Sequence, residues 1–385
     1  MSRNRSKSVG RTPRVLIVQT YIPQYRVAFF EGLRARLAAE GVQLDLIYSD
    51  PPADAATKLD AVKLDWATYL PNLNIGVGHR RLIYQPIAWL SRSYDLVIVE
   101  QANKLLVNPI LMAMNAVGLM RLAYWGHGRD FQGGEGFWAR TIKRALIPHV
   151  HWWFAYNELS AAVVRDTGFP DVRITRVMNT IDNLALEKTL AEITPQEIER
   201  QREHLGLRGH NVCIYIGGMY DKKRLPFLLA ACERVRREIP DFEIVFLGSG
   251  VDKSVVERFA AEHHWAIACG PTFGREKAIN MKLAKLLLMP GLVGLAIIDA
   301  FAAQVPIVTT NVPYHSPEID YLIDGVNGEM TADNEEDYAD RIVSLLRDEN
   351  RLSDLRSGCR EAARKYAMDA MVTKFAAGVL GALST

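Results

Sequence analysis

A glycine pair followed by a run of basic residues has the clearest chemistry in this sequence. Residues 217–224, GGMYDKKR, follow a strand-like run and precede a helix-like one. Glycines let backbone N–H groups approach an anion closely, and a helix N-terminus adds about half a positive charge. The pattern predicts a diphosphate site formed by Gly217, Gly218, Lys222, Lys223 and Arg224. A solvated basic turn is the alternative, because neither a GxxxxGK[ST] nor a GxGxxG spacing is present.

A lone carboxylate occupies an otherwise apolar segment, MPGLVGLAIIDAFAAQVPIV, at residues 289–308. Asp299 follows the Pro290-Gly291 turn and falls in the first turns of a predicted helix. A carboxylate at this point accepts hydrogen bonds from vicinal ribose hydroxyls, as acids do in dinucleotide sites. An acid favoured by the helix dipole is the alternative. The same two interpretations apply to Glu318, at the start of a later short helix.

Two loops in the first half of the chain also carry candidate residues. His127 lies between two glycines, so that a neutral imidazole is accessible to accept a hydrogen bond from a sugar hydroxyl. Tyr25 and Arg26 follow the first predicted strand and, with Arg129, are assigned to the acceptor side of a site. The alternatives are a loop histidine without a special role, an arginine that extends its head group to solvent and a tyrosine that only packs.

Composition and charge limit the class of protein. A chain of 385 residues with 49% apolar and 23% charged residues is typical of a globular protein with about two domains. The net charge of +2 favours neither nucleic acid nor acidic partners. The four cysteines are widely spaced without a CxxC pair, which argues against a zinc site or a disulfide framework and favours a reducing cytosol. The sequence also lacks a DxD metal motif and any HExxH or GxSxG motif.

Contact with a membrane is a secondary prediction. Residues 1–14 form a basic tail that we expect to be disordered, with weak attraction to anionic lipid as the alternative. Arg140, Lys143 and Arg144 give a basic amphipathic helix, which is either a solvated face or a membrane contact. The apolar stretch 105–125 is interrupted by polar residues and predicts a buried helix followed by a strand. No signal peptide is recognisable, so we expect a cytoplasmic protein, with the inner face of the cell membrane as a second location.

The elements that must position these residues alternate between strand-like and helix-like runs. In the first half, strands are predicted at 14–19, 42–48, 95–99, 122–125, 151–156 and 173–178. In the second half, strands are predicted at 212–216, 243–247, 266–269, 287–289 and 307–309. This βα repeat predicts two doubly wound parallel sheets. Glycine clusters at the carboxyl ends of the strands then place the candidate residues around a cleft between two domains.

Together these segments resemble the retaining glycosyltransferases of family 4, which have the GT-B fold. The resemblance extends over most of the chain, through VLIVQTYIPQYRVAFFEGL, YWGHGRDF, RVMNTID, IYIGGMYDKKRLPFLL, IVFLGSG and PGLVGLAIIDAFAAQVPIVTT. It implies two Rossmann-like domains that face an interdomain cleft, and a C-terminal helix that crosses back. The implied divisions are a basic tail at 1–14, an acceptor domain at 15–185, a donor domain at 186–365 and a final helix at 366–385 packed on the first domain.

The resemblance also implies roles for individual residues. Lys223 matches the lysine that holds the donor diphosphate and, with His127, is implied to be catalytic. Asp299 matches the second of the family's paired glutamates and would hold the ribose. The chain departs from the pattern where Gly218 replaces an arginine and Gly291 replaces the first glutamate. The donor sugar is expected to contact Gly291, Val293, Gly294 and Leu295.

The implied activity is transfer of a sugar from a nucleotide diphosphate sugar to a hydroxyl of a glycan or lipid-linked glycan, with retention of configuration. Stabilisation of the leaving group by Lys223 and helix N-termini would carry most of the catalysis, without a metal ion or another cofactor. Lys222 and Arg224 are expected to compensate for the absent arginine. Two alternatives stay open: a non-catalytic sugar-nucleotide-binding or scaffold subunit, and a sugar-nucleotide epimerase of the same fold.

Overall fold

The computed structural model describes residues 11–51, 61–77, 80–102, 105–128 and 149–385. Most of the basic tail, Arg129 and the predicted basic helix with Arg140, Lys143 and Arg144 lie outside the described residues. The chain divides into two compact units. Of the described residues, the first unit contains those up to Met178 together with Asp369–Thr385, and the second contains Asn179–Met368.

The first unit contains, within its described residues, a parallel sheet of seven strands. The strands are β1 (Arg14–Val18), β2 (Gln43–Tyr48), β3 (Thr68–Tyr69), β6 (Leu96–Glu100), β7 (Leu122–Gly126), β8 (Trp152–Ala155) and β9 (Ile174–Arg176), in the spatial order β3-β2-β1-β6-β7-β8-β9. An antiparallel pair, β4 (Leu73–Val77) and β5 (Arg80–Tyr84), forms a sheet of its own. The direction of strand addition reverses between β1 and β6, which pair in parallel.

The second unit contains a parallel sheet of six strands in the part of the chain that the structure describes. The strands are β10 (Asn211–Ile216), β11 (Phe242–Leu247), β12 (Ala266–Gly270), β13 (Leu286–Leu288), β14 (Ile307–Thr310) and β15 (Gly328–Thr331), in the spatial order β12-β11-β10-β13-β14-β15. Strand addition reverses between β10 and β13. In doubly wound sheets, ligands bind beyond the carboxyl ends of the strands at such a reversal.

Helices cover the sheets. They are α1 (Val27–Ala39), α2 (Val107–Ala116), α3 (Glu158–Arg165), α4 (Leu184–Glu192), α5 (Pro195–Leu205), α6 (Leu225–Glu238), α7 (Lys253–Glu262), α8 (Gly274–Leu283), α9 (Ala296–Ala303), α10 (Glu335–Arg347), α11 (Glu349–Lys365) and α12 (Met368–Ser384). Every residue of β11 is buried, as expected for a strand covered on both faces. Tyr338, Ile342 and Leu345 of α10 have helical spacing and lie in the core of the second unit.

The last helix belongs to the first unit, although α11 immediately before it belongs to the second. Phe375 of α12 stacks on Phe154 of β8 with ring centroids 4.2 Å apart, and it meets Trp125 edge-to-face at 5.0 Å. The guanidinium of Arg121 donates to the carbonyl of Leu383 near the helix end, over 2.9 Å. The aromatic contacts bury the apolar side of α12, which would otherwise face water.

The prediction of two doubly wound α/β domains is confirmed. The predicted strands lie within two residues of the observed ones, because parallel strands buried on both faces appear in the sequence as short apolar runs. The β4–β5 pair and β15 were not predicted, since their sequences mix glycine and charged residues with apolar ones. The strand β3 was not predicted either, because it has only two residues. The two helices α4 and α5 follow each other closely, and Thr194 and Glu197 form a capping box that begins α5.

Candidate functional site

Two loops that the sequence singled out lie side by side in the second unit. One follows β10 and contains residues 217–224, and the other follows β13 and contains residues 289–295. Because β10 and β13 pair in parallel, their carboxyl ends meet at the reversal of the sheet. The N–H of Leu292 donates to the carbonyl of Lys222 over 2.9 Å. The structure therefore joins the predicted diphosphate segment to the predicted sugar segment.

Lys223 is the buried cation of this site. Its side chain is only 6% exposed, and its ammonium donates to the carbonyl of Leu292 over 2.5 Å. The ring of Tyr220 lies 5.7 Å from the same nitrogen. Burial lowers the pKa of Lys223 from 10.5 to about 8. The lysine is still mainly charged at neutral pH, with uncharged groups as its described contacts, so an anion brought against it gains a strong electrostatic partner.

Gly291 is held against the backbone of the lysine loop. A Cβ atom at this position would overlap the carbonyl oxygen of Lys222 and come within 2.6 Å of the carbonyl carbon of Lys223. A glutamate here would require the two loops to move apart. The glycine at position 291, where the sequence departs from the pattern of the family it resembles, is thus a steric requirement of this packing.

A histidine that the sequence analysis left without a role orients the same loop. Nδ1 of His315 accepts from the N–H of Val293 over 3.1 Å, so Nε2 carries the proton and donates to the carbonyl of Thr310 over 2.8 Å. Burial lowers the pKa of His315, and the charge of Lys223 lowers it further. A neutral imidazole is the form that this bond pattern needs. The sequence could have indicated this role, because His315 follows β14 and lies three residues before the candidate Glu318.

The other members of the predicted diphosphate group have different surroundings. Arg224 forms an ion pair with Asp333 and donates to the Thr310 hydroxyl over 3.1 Å. The N–H of Gly217 already donates to Leu247 of β11 over 3.0 Å. The carbonyl of Gly218 accepts from the Tyr215 hydroxyl over 2.7 Å. These hydrogen bonds and the ion pair hold the loops in place. Lys222, in contrast, is partly exposed.

Asp299 lies in the first turn of α9, directly after the loop that contacts Lys223. Its Oδ2 atom accepts from the ammonium of Lys277 on α8 over 2.9 Å, an ion pair that the sequence did not predict. Glu318 is buried and accepts from the Asn179 side chain over 3.1 Å. The neighbouring Ser316 N–H donates to the Val293 carbonyl over 3.1 Å, which attaches this segment to the same loop.

The remaining candidates belong to the first unit. Arg26 is buried with its guanidinium carbon 4.4 Å from the Trp125 ring and 5.3 Å from the Tyr25 ring. Burial by itself lowers the pKa of Arg26, but Tyr25, Tyr156 and Glu100 together outweigh this effect and keep that pKa above its ordinary value. The ring of His127 meets the Tyr156 ring edge-to-face at 4.0 Å. These residues follow β1, β7 and β8, at the carboxyl edge of the first sheet.

A cavity of about 360 Å³ opens at the same edge, beyond β1, β2 and β3. Its lining includes Tyr21, Tyr48, Asp50, Lys63 and Tyr69. The Tyr69 hydroxyl donates to Asp50 over 2.6 Å, and the rings of Tyr48 and Tyr69 pack edge-to-face at 5.7 Å. Tyrosine rings beside a carboxylate and an ammonium are suited to the apolar faces and hydroxyls of a sugar. This cavity could not be predicted from the sequence, because the residues that line it come from separate segments of the chain.

Neither a cluster of metal ligands nor a single membrane-spanning helix occurs among the described residues. No group of three or more histidine, cysteine, aspartate or glutamate residues there is placed to hold a metal ion. No single helix there has both the length and the apolar character needed to cross a membrane. The helices α11 and α12 have the necessary length and apolar character only when they are taken together.

Comparison with known proteins gives one partial family match. Residues 210–348 match a family model described as "Glycosyl transferases group 1". This segment includes the loops after β10 and β13, with Lys223, Lys277, Gly291 and Asp299. No match was found among curated proteins.

Solved structures are similar over almost the whole chain. HepE from Anabaena, solved with UDP, has a TM-score of 0.68 at 15% identity, with 96% of this chain and 99% of that chain covered. A glycosyltransferase from Rickettsia africae has a TM-score of 0.67 at 12% identity, with 95% and 97% covered. The pneumococcal O-GlcNAc transferase GtfA, solved with UDP and GlcNAc, has a TM-score of 0.63 at 12% identity, with 98% and 100% covered. The likeness shows that this chain has the GT-B fold.

Proposed function

We propose that this protein is a glycosyltransferase, which moves a sugar from a nucleotide diphosphate sugar to a hydroxyl of a glycan or lipid-linked glycan. The observation that carries the proposal is the buried ammonium of Lys223 against the loop after β13, at the reversal of the second sheet. The family match supports the assignment because it includes both loops of this site. The complex of HepE with UDP supports a nucleoside diphosphate as the class of ligand.

The chemistry follows from where charge develops. As the bond to the leaving diphosphate breaks, negative charge grows on its oxygens, and the Lys223 ammonium stabilises that charge in a site of low dielectric. The backbone of Val293, Gly294 and Leu295, oriented by His315, lies next to Lys223 and faces the donor sugar. Asp299 accepts from the ribose.

Retention and independence of metal ions are parts of this proposal. A diphosphate oxygen takes the proton of the acceptor hydroxyl while that hydroxyl attacks the anomeric carbon from the face that the diphosphate leaves. The new bond therefore forms on the same face, no enzyme nucleophile is needed, and the proton ends on the departing diphosphate. Lys223 supplies the positive charge that a divalent ion supplies in other transferases.

The first unit is assigned to the acceptor and to groups near the transferred sugar. The tyrosine-lined cavity beyond β2 is suited to a sugar ring of the acceptor. Arg26 and Tyr25 lie at the same edge, and His127 is proposed to accept from a hydroxyl of the donor sugar. We place the protein in the cytoplasm, with the inner face of the membrane as a site of action to be tested by cosedimentation with anionic vesicles.

The experiment that tests the function is a panel of UDP-, GDP- and dTDP-sugars, with thermal shift and release of nucleoside diphosphate as the measurements. At least one donor is expected to raise the melting temperature and to be hydrolysed slowly without an acceptor. A protein that responds to none of them is not a transferase of this kind. A scaffold subunit would bind a donor without turnover, and an epimerase would change the sugar without releasing the diphosphate.

A further inference from the structure

We propose that Lys277 is a second ligand of the donor ribose, a hydrogen-bond donor that works beside the acceptor Asp299. The inference rests on the proposed function, because the ribose is that of the nucleotide sugar. It adds a specificity-determining residue that neither the sequence pattern nor the family resemblance assigned. It predicts that the site distinguishes ribonucleotides from deoxyribonucleotides through a pair of opposite charges.

The pair is built from the starts of two neighbouring helices. Lys277 lies near the start of α8 (Gly274–Leu283), and Asp299 lies in the first turn of α9. The ammonium and Oδ2 are 2.9 Å apart. The loop that leads into α9 is the one whose Leu292 carbonyl accepts from Lys223. The ribose adjoins the diphosphate in a nucleotide, so the proposal assigns the diphosphate to Lys223 and the ribose to the start of α9, the helix that follows this loop.

The hydrogen-bonding capacity of the pair is only partly used. Lys277 donates to Oδ2 of Asp299, and within the described residues no group donates to Oδ1. An ammonium has three donors, of which one is directed at Asp299. The pair thus offers an acceptor and a donor side by side. A vicinal diol matches this arrangement, because each hydroxyl can donate one hydrogen bond and accept another.

The Lys277–Asp299 pair is less exposed to solvent than an ordinary surface ion pair. The Lys277 and Asp299 side chains are 23% and 13% exposed. In comparison, Lys253 and Glu257 on α7 form a helix-surface pair whose side chains are 40% and 49% exposed. Reduced exposure means that each charge has lost part of its hydration, which strengthens its interaction with a polar ligand. The remaining exposure leaves a route for the ligand to reach both groups.

Calorimetric titration with UDP, 2′-deoxy-UDP and 3′-deoxy-UDP tests this assignment. Wild-type protein should bind UDP and lose about tenfold in affinity with each deletion, as expected for a hydrogen bond to a charged group. Lys277→Met should bind UDP about tenfold more weakly and be insensitive to one of the two deletions. Asp299→Asn should be insensitive to the other deletion. Lys277→Arg should recover part of the affinity.

The matched control is Lys282→Met, which removes an exposed lysine of the same helix. It should bind all three ligands as the wild type does, and melting curves without ligand should show that every variant is folded. If Lys277→Met keeps wild-type affinity and sensitivity to both deletions, Lys277 is not a ribose ligand. If Lys277→Met and Asp299→Asn become insensitive to the same deletion, Lys277 only positions Asp299, and the proposed contact is wrong. If wild-type protein binds no nucleoside diphosphate, the function and the inference fail together.

Discussion

Two buried cations, Lys223 in the second unit and Arg26 in the first, have opposite surroundings. Lys223 lies against a backbone carbonyl, and burial lowers its pKa to about 8. Arg26 lies among the rings of Tyr25, Trp125 and Tyr156. Burial lowers its pKa, but Tyr25, Tyr156 and Glu100 together keep that pKa above the ordinary value. A lysine whose proton is easily lost responds to the charge of a ligand, whereas an arginine stays charged in every state. The comparison indicates a ligand-dependent cation in the second unit and a permanent one in the first.

Removing the lysine should produce the largest effect. Lys223→Ala should lower transferase activity by about a hundredfold or more, because the departing diphosphate loses its buried charge partner. Release of nucleoside diphosphate from the donor measures the change. Lys282→Ala is the control, since it removes an exposed lysine of the same unit. Activity close to wild type in Lys223→Ala would assign leaving-group stabilisation to another residue.

Crowding the contact between the two loops should have the next largest effect. Gly291→Ala should destabilise the protein by about 1–3 kcal/mol, as expected for overpacking, because the new Cβ atom overlaps the Lys222 carbonyl. The affinity of Gly291→Ala for the donor should fall as well. Gly294→Ala is the control for stability, since its Cβ atom would meet Ser316 Oγ at an ordinary 3.7 Å. Urea unfolding compares the two variants. Equal stability would mean that the loops separate easily.

The pH dependence of donor binding distinguishes the two cations. Because a diphosphate requires the charged form of Lys223, whose pKa is about 8, affinity should fall about tenfold between pH 7 and pH 9. Without ligand, stability should rise with pH between about 8 and 10.5, where the unfolded chain still binds the proton that the native lysine has lost. Lys223→Arg should bind with little change across this range. A flat wild-type profile would contradict the shifted lysine.

Changing the arginine should affect stability more than donor binding. Arg26→Lys should cost about 1–2 kcal/mol, because a lysine stacks poorly on the rings that surround the guanidinium. Arg34→Lys is the control, since Arg34 is exposed and lies 4.6 Å from the Trp66 ring. Thermal melts with and without UDP separate the two properties. A large loss of UDP binding in Arg26→Lys would place Arg26 on the donor side instead.

Chelation should have the smallest effect. With EDTA present, donor turnover is expected to stay within about twofold of the untreated rate, because Lys223 supplies the positive charge at the leaving group. Added Mg²⁺ should not restore activity to Lys223→Ala. Turnover that collapses with EDTA and recovers with a divalent ion would remove metal independence from the mechanism.

Much of the fold could be predicted, because parallel strands buried on both faces leave apolar runs such as FEIVFL of β11 and LVIVE of β6. The antiparallel pair of β4 and β5 lacked this pattern and was missed, as was the two-residue strand β3. In the candidate site, the glycine pair, Lys223 and Asp299 stood out by type and position. His315 and Lys277 did not, because their significance depends on the Val293 N–H and the Asp299 carboxylate, which are distant in sequence.

The sequence by itself determined the two α/β repeats and the strand ends at which glycines, a lysine and an acid occur. It also showed that Gly291 and Gly218 depart from the pattern of the family that the chain resembles. Only the tertiary structure decided that Gly291 must be a glycine, that Arg224 pairs with Asp333, and that Lys277 meets Asp299. The physical reason is that periodicity and composition are local properties of the chain. Steric overlap, burial and the pairing of charges depend on residues that only folding brings together.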